Sequence, residues 1–387
     1  MSLKPSESFM DIMRFVCFIN RCVGADIYQK NYRMNIFTVM SMFVILIYSG
    51  FTISTLISES NWIFSLRVMV MTGQLIQGTN KMFVIVTNTK ALYELNQSVF
   101  VIYKKYEDHP DPRFATDLLT SCRRLNRALI VVGISYVVAI SGMIILPLTF
   151  NMMTGDRQLI MQFHVPGIDV KTETGLWLTQ MSHSFVLIVG AIGMFAGDMV
   201  IIVHLLQTYI FSDVLRLKID GFNKFVDKPG EQPDSEIQEL LVDMIEFHQE
   251  YIRFLSRCNK LLNSIVSTQV ITAAACFVLT LFVLLTTNWP GGYAYAIALI
   301  PNLYIYCILG TLLGNCNDDI MYEVYNISFY NLKARHQREV LFMLGKTQRT
   351  DMIQLVGIVP LAVSTALQIT KTIYSVAMMM VRVLMHK

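Results

Sequence analysis

Six stretches of this chain are each long and apolar enough to cross a bilayer, for which a helix needs roughly 20 mostly apolar residues. They are residues 35–57, 128–153, 184–206, 264–288, 293–315 and 352–381. A seventh, 63–86, is interrupted by Arg67 and Lys81. Both lie toward its ends, where a long side chain can reach the polar interface. The expectation is an all-α membrane protein with seven transmembrane helices. Composition agrees, because charged residues make up 15% of the 387 positions, against roughly 25% in soluble domains.

Basic residues orient the chain. With seven spans, the N-terminal segment and the second, fourth and sixth loops share one side and carry 24 Lys and Arg; the other loops and the C-terminal tail carry 4. The positive-inside rule then places the N terminus in the cytoplasm and the C terminus outside the cell. Residues 1–34 lack the long apolar run and cleavage site of a secretory signal. Phe9, Ile12, Met13, Val16, Ile19 and Val23 recur there at helical spacing, so this segment either lies in the membrane interface or packs on protein. No cysteine falls in an outside loop. Disulfides are therefore not expected.

The inside loops read as helical extensions of the spans. Lys-Pro-Gly-Glu-Gln-Pro-Asp at 228–234 marks a sharp reversal, after which Asp234 or Ser235 can cap a helix. From there Ile237, Leu241, Met244, His248, Tyr251, Leu255, Cys258, Leu262 and Ile265 recur in alternating steps of four and three. Such a seam packs within its own subunit or pairs with another copy in a coiled coil. A further helix presents Val324, Phe329, Leu332 and Val340, with Gly345 able to end it. Pro360 breaks the last span. The chain thus divides into an N-terminal cytoplasmic or interfacial segment (1–34), six spans with cytoplasmic extensions (35–316), anchor helices (317–359) and a last span (360–387).

No catalytic residue, cofactor or metal site is expected, since phosphate-binding glycine loops, His-Glu-x-x-His and Gly-x-Ser-x-Gly are absent from the sequence. Asp198 is the deepest ionisable residue, and Lys81 lies at similar depth. They form either a structural ion pair or part of an ion pathway. On the last span Ser364, Gln368, Lys371, Ser375, Met379 and Arg382 share one face. A polar face on a membrane helix lines water or packs on another helix. In the outer halves of the spans, Met71, Gln74, Ile145, Phe150, Met181, Phe185, Tyr293 and Tyr295 make an aromatic and Met-rich neighbourhood. It suits a small apolar ligand, and core packing accounts for the same residues singly.

The C-terminal third resembles the insect odorant receptor family. The likeness lies in Glu323, Tyr325, Phe329, Tyr330 and Leu332, where Phe329 replaces a usual Trp, then in Lys346, Thr347 and Gln348, in Pro360 and Leu361, and in the Lys371-Thr372-Ile373-Tyr374-Ser375 ending. The resemblance implies a ligand-gated cation channel that binds a small volatile odorant in the outer half of each subunit. It also implies a heterotetramer with a shared co-receptor, in the plasma membrane of olfactory sensory neurons, with lipid and no nucleic acid as partner. By the same likeness the last span lines the pore, with its gate at Ser375, Met379, Arg382 and Val383. Lys371 and Arg382 would give a homotetramer rings of positive charge that oppose cation flow. The chain is accordingly expected to tune the channel and to conduct beside co-receptor copies.

Three other classes compete. A G-protein-coupled receptor needs the opposite orientation, and Asn302 is followed by Leu303 rather than Pro. A gustatory receptor shares the topology but ends in a Thr-Tyr-x5-Gln-Phe pattern that is missing here. A secondary transporter commonly carries an internal repeat, and none is visible.

Overall fold

The computed structural model describes residues 4–25, 34–155, 157–230, 232–349 and 353–385. The chain is almost wholly helical: α1 (Pro5–Val23), α2 (Ile36–Ser58), α3 (Trp62–Thr87), α4 (Thr89–Tyr106), α5 (Pro112–Thr154), α6 (Glu173–Leu206), α7 (Thr208–Val226), α8 (Asp234–Thr286), α9 (Pro290–Tyr325), α10 (Ala334–Thr347) and α11 (Val363–Met385). Among the described residues five stretches meet the length and hydropathy of a membrane span: α2, α5, α6 with α7, α8, and α9 with the turn after it. The helices α3 and α11, of 26 and 23 residues, have sufficient length but carry more polar side chains.

The weakness of α3 has a structural reason. Its two cations turn inward instead of reaching for the interface. Arg67 donates to Thr287 Oγ1 at 3.1 Å and lies 5.6 Å from the Trp289 ring centroid. Lys81 is 2% exposed and pairs with Asp198. A low hydropathy score here reflects polar groups satisfied by neighbouring helices, which a lipid environment requires.

Helix lengths explain the second layer. At 1.5 Å per residue, the 43 residues of α5 and 53 of α8 run about 65 and 80 Å, far beyond a hydrocarbon core of roughly 30 Å. Their charged ends bundle with α4, α7, α10 and the end of α9 around one apolar core that includes Leu95, Tyr103, Phe211, Leu241, Tyr251 and Val324. Every residue of the α8 heptad seam is buried within the subunit. It therefore packs at home. The exposed neighbours of that seam carry the charge, so the charged layer is an ordinary helical bundle fused to the spans.

Several local expectations change. Phe9, Met13 and Val16 of α1 are fully buried against α5 and α6, so this face packs on protein, while Phe15 and Phe18 stay exposed on the other side. Asp234 caps nothing; its carboxylate accepts from His336 Nε2 at 3.1 Å and faces Lys333, tying the start of α8 to α10. Helix α10 runs through Gly345 to Thr347. The chain does break at Pro360, but the residues before it form a hairpin rather than a half-helix: Gln354–Leu355 pairs antiparallel with Val359–Pro360. Its turn uses Gly357 at φ 72°, a left-handed conformation that glycine adopts without steric cost. The hairpin docks where Gly310 of α9 leaves room, because a Cβ there would stand 2.1 Å from the Leu361 carbonyl oxygen. Helix α11 starts three residues after Pro360.

Candidate ligand cavity and the exposed face of α11

A cavity of about 160 Å³ lies among α1, α2, α3, α5, α6 and α9. Its walls are mostly apolar and include Tyr48, Leu75, Met82, Ile140, Met143, Leu187 and Met194, with Gln74, Ser41, Ser135 and Asn302 as polar positions. Narrow residues shape it: Gly78, Ala139, Gly190 and Gly193 line the space that larger side chains would fill. An apolar enclosure with a few convergent polar groups is the usual form of a small-molecule site.

One end is covered by the segment between α5 and α6, through Met161. Leu159, Ile160, Met161 and Phe163 are buried there, and side chains of α6 and α2 hold the backbone down. Ile160 N–H donates to Gln180 Oε1 at 3.0 Å, Met161 N–H to His183 Nδ1 at 3.3 Å, and His164 N–H to Thr55 Oγ1 at 2.9 Å. Phe163 packs against Tyr48, Phe51 and His183. Met161 reaches the cavity wall. The sequence signal for this cover is the apolar run Leu159-Ile160-Met161 followed by Phe163 and Val165 in a loop otherwise read as a connection.

The inner part of the cavity meets a buried ionic cluster. Asp198 Oδ1 accepts from Lys81 Nζ and from the Tyr306 hydroxyl, and Oδ2 accepts from the Tyr136 hydroxyl at 2.5 Å. Lys81 reaches Asp198 by crossing Gly197, where a Cβ would approach the Lys81 Cδ to 2.8 Å. Four helices thereby converge on one carboxylate. Burying a charge pair is tolerable only when such hydrogen bonds satisfy the remaining lone pairs. The cluster is a structural pair in this conformation.

Of the ligand residues expected from sequence, Gln74 lines the cavity. Met71 and Tyr295 sit in the adjacent buried core: the Tyr48 hydroxyl donates to the Met71 carbonyl at 3.3 Å, and the Tyr295 hydroxyl to the Val70 carbonyl at 2.9 Å. Phe150 is half-buried, while Ile145, Met181, Phe185 and Tyr293 are each more than half exposed on the outside of the helices. Helical periodicity places these residues at one depth. It does not say which way each helix is turned.

Helix α11 divides cleanly. Thr365, Ala366, Ile373, Ala377 and Val381 are buried against α8 and α9. Ser364, Gln368, Lys371, Ser375, Met379 and Arg382, with Val383 beside them, are all exposed. The polar stripe thus faces away from its own subunit.

Comparison with known proteins follows the same lines. A family model described as 7tm odorant receptor matches residues 61–374. The putative odorant receptor 83c of Drosophila melanogaster is 28% identical over 98% of both chains. Odorant receptor 85c of the same insect is 22% identical over 89% of this chain and 92% of its own. The solved insect olfactory receptor OR5 of Machilis hrabei, in complex with eugenol, superposes with a TM-score of 0.78 over 97% of this chain and 98% of its own, at 12% identity. The same receptor without that ligand superposes equally well. This multi-pass membrane protein belongs to the 7tm odorant receptor family.

Proposed function

We propose that the chain is the odorant-binding subunit of a ligand-gated cation channel, assembled as a heterotetramer with a co-receptor. In this reading seven helices, α2, α3, α5, α6, α8, α9 and α11, cross the plasma membrane of a sensory neuron, with α1 and the charged layer in the cytoplasm. The distribution of Lys and Arg supports that orientation.

The observation that carries the proposal is the exposed polar stripe of α11. A membrane helix does not hold Gln368, Lys371, Ser375 and Arg382 against lipid, so a further subunit or a water-filled passage covers this face. Its other face packs on α8, and α8 also packs on the cavity wall helix α3. Ligand in the cavity and the position of α11 are then coupled through one continuous helix. Eugenol in the Machilis hrabei receptor supports a small, largely apolar odorant as the ligand class here.

Lys371 and Arg382 point to unequal subunits, because four copies would ring the passage with positive charge. Co-receptor copies dilute that field. Whole-cell recording with an odorant panel tests the reading: currents are expected when the chain is expressed beside the co-receptor, above those of the co-receptor alone. Large odorant-evoked currents from the chain by itself would refute the division of labour, and ligand-driven second-messenger signals without current would refute the channel.

A further inference from the structure

The cavity extends well below its cover. Its wall runs from Gln74 to Ile85 on α3 and from Val186 to Asp198 on α6, about 17 Å of helix. A volume of about 160 Å³ spread over that length describes a slot. The other end is formed by Asn20 and Val23 of α1 and by Ala25 just after it.

Asn20 is fully buried. Its Nδ2 donates to the Val16 carbonyl at 2.9 Å and the Ala196 carbonyl at 3.4 Å, which fixes the amide with Oδ1 as a free acceptor. Among the described residues nothing donates to that oxygen. Buried acceptors in folded proteins nearly always have a donor, and because Asn20 lines the cavity, a ligand there can supply one. The charged groups nearby are already engaged, since Asp198 is saturated by Lys81, Tyr136 and Tyr306.

We propose that the slot takes an elongated apolar ligand ending in a hydroxyl, which donates to Asn20 Oδ1 while the hydrocarbon tail reaches toward Met161 under the cover. This rests on the odorant-binding reading above and adds the ligand class. An alkane leaves Oδ1 bare. An aldehyde or ester offers only acceptors to it, and a carboxylate finds the Lys81 charge already neutralised. An apolar cavity of about 150 Å³ takes a ligand the size of benzene, so volume rather than length is limiting, and about 160 Å³ takes a chain on the order of eight carbons.

The test uses n-alkan-1-ols from hexanol to tetradecanol, with the aldehyde and alkane of each length, applied to the chain expressed beside the co-receptor. Sensitivity is expected to peak near octanol, with the alcohol effective at about tenfold lower concentration than the aldehyde, the difference one hydrogen bond makes. Asn20→Leu is expected to erase that difference. Because Asn20 also ties α1 to α6, Gly193→Leu supplies an independent probe: its Cβ would meet Val23 at 3.6 Å, so the larger side chain fits only by filling the inner slot. That variant should move the preferred alcohol down to hexanol, the shortest of the series. Equal potency of alcohol and aldehyde, or an unmoved preferred length in Gly193→Leu, would overturn the proposal while leaving an odorant-gated channel intact. Surface-expressed wild type silent to every compound of the series would overturn this ligand class, and silence to the wider odorant panel would overturn the channel reading itself.

Discussion

Single charged side chains decide how this chain holds together inside an apolar medium. Removing Asp198 leaves Lys81 buried with no counter-charge and leaves two tyrosine hydroxyls without an acceptor. Asp198→Ala is expected to cost about 3–5 kcal/mol and to collapse surface expression, read by surface biotinylation. Lys81→Met with Asp198→Leu should recover much of it, since well-packed apolar residues replace a buried pair without loss. In the charged layer, burial alone pushes His248 down to about 4. The unfolded chain therefore takes up that proton first, near pH 6.5. The stabilisation is complete above that pH and is lost progressively as pH falls toward 4. At pH 5 the loss is about 2 kcal/mol, so thermal unfolding of the detergent-solubilised protein should shift down between pH 7 and 5, and His248→Phe should flatten that dependence. Sequence alone placed Lys81 and Asp198 at one depth, which is enough to suggest a pair. Tyr136 and Tyr306 were not legible, because nothing in the spacing of an apolar helix tells which hydroxyl turns toward a carboxylate.

At the scale of elements, α11 is an amphipathic helix whose apolar side is filled by its own subunit and whose polar side is left for others. Replacing both Lys371 and Arg382 by Gln is expected to raise cation conductance of the proposed heteromeric channel, measured as single-channel current with surface density controlled; an unchanged current would place these side chains outside the passage. The stripe was legible because a period of 3.6 residues survives in any helix. So was the α8 seam. The hairpin before α11 was not, since Pro360 reports a break in a helix without reporting what precedes it. The cover between α5 and α6 was missed for a related reason. A run such as Leu159-Ile160-Met161 has no periodicity, and only the hydrogen bonds that this segment's backbone N–H groups donate to Thr55, Gln180 and His183, distant in sequence, make it part of the core. Four of the expected ligand residues point outward because depth follows from counting along a helix, whereas helix rotation follows from packing.

For the whole molecule, two layers share continuous helices: an apolar layer that holds the cavity and a charged layer that holds most of the conventional core. Helices α5, α8 and α9 run through both, so under the proposed channel reading a ligand that tightens the cavity would load the same rods that carry α10, the hairpin and α11. The mechanism requires only that the bound and empty cavities favour different positions of α11. The most direct test is a cryo-electron microscopy map of the chain assembled with its co-receptor in the presence of an activating odorant. The account predicts ligand density between α3 and α6, against Gln74, Gly78 and Met194, and the Lys371 and Arg382 face of α11 turned toward a central passage. Ligand density elsewhere beside an empty cavity, or α11 with its polar face against lipid, would contradict it.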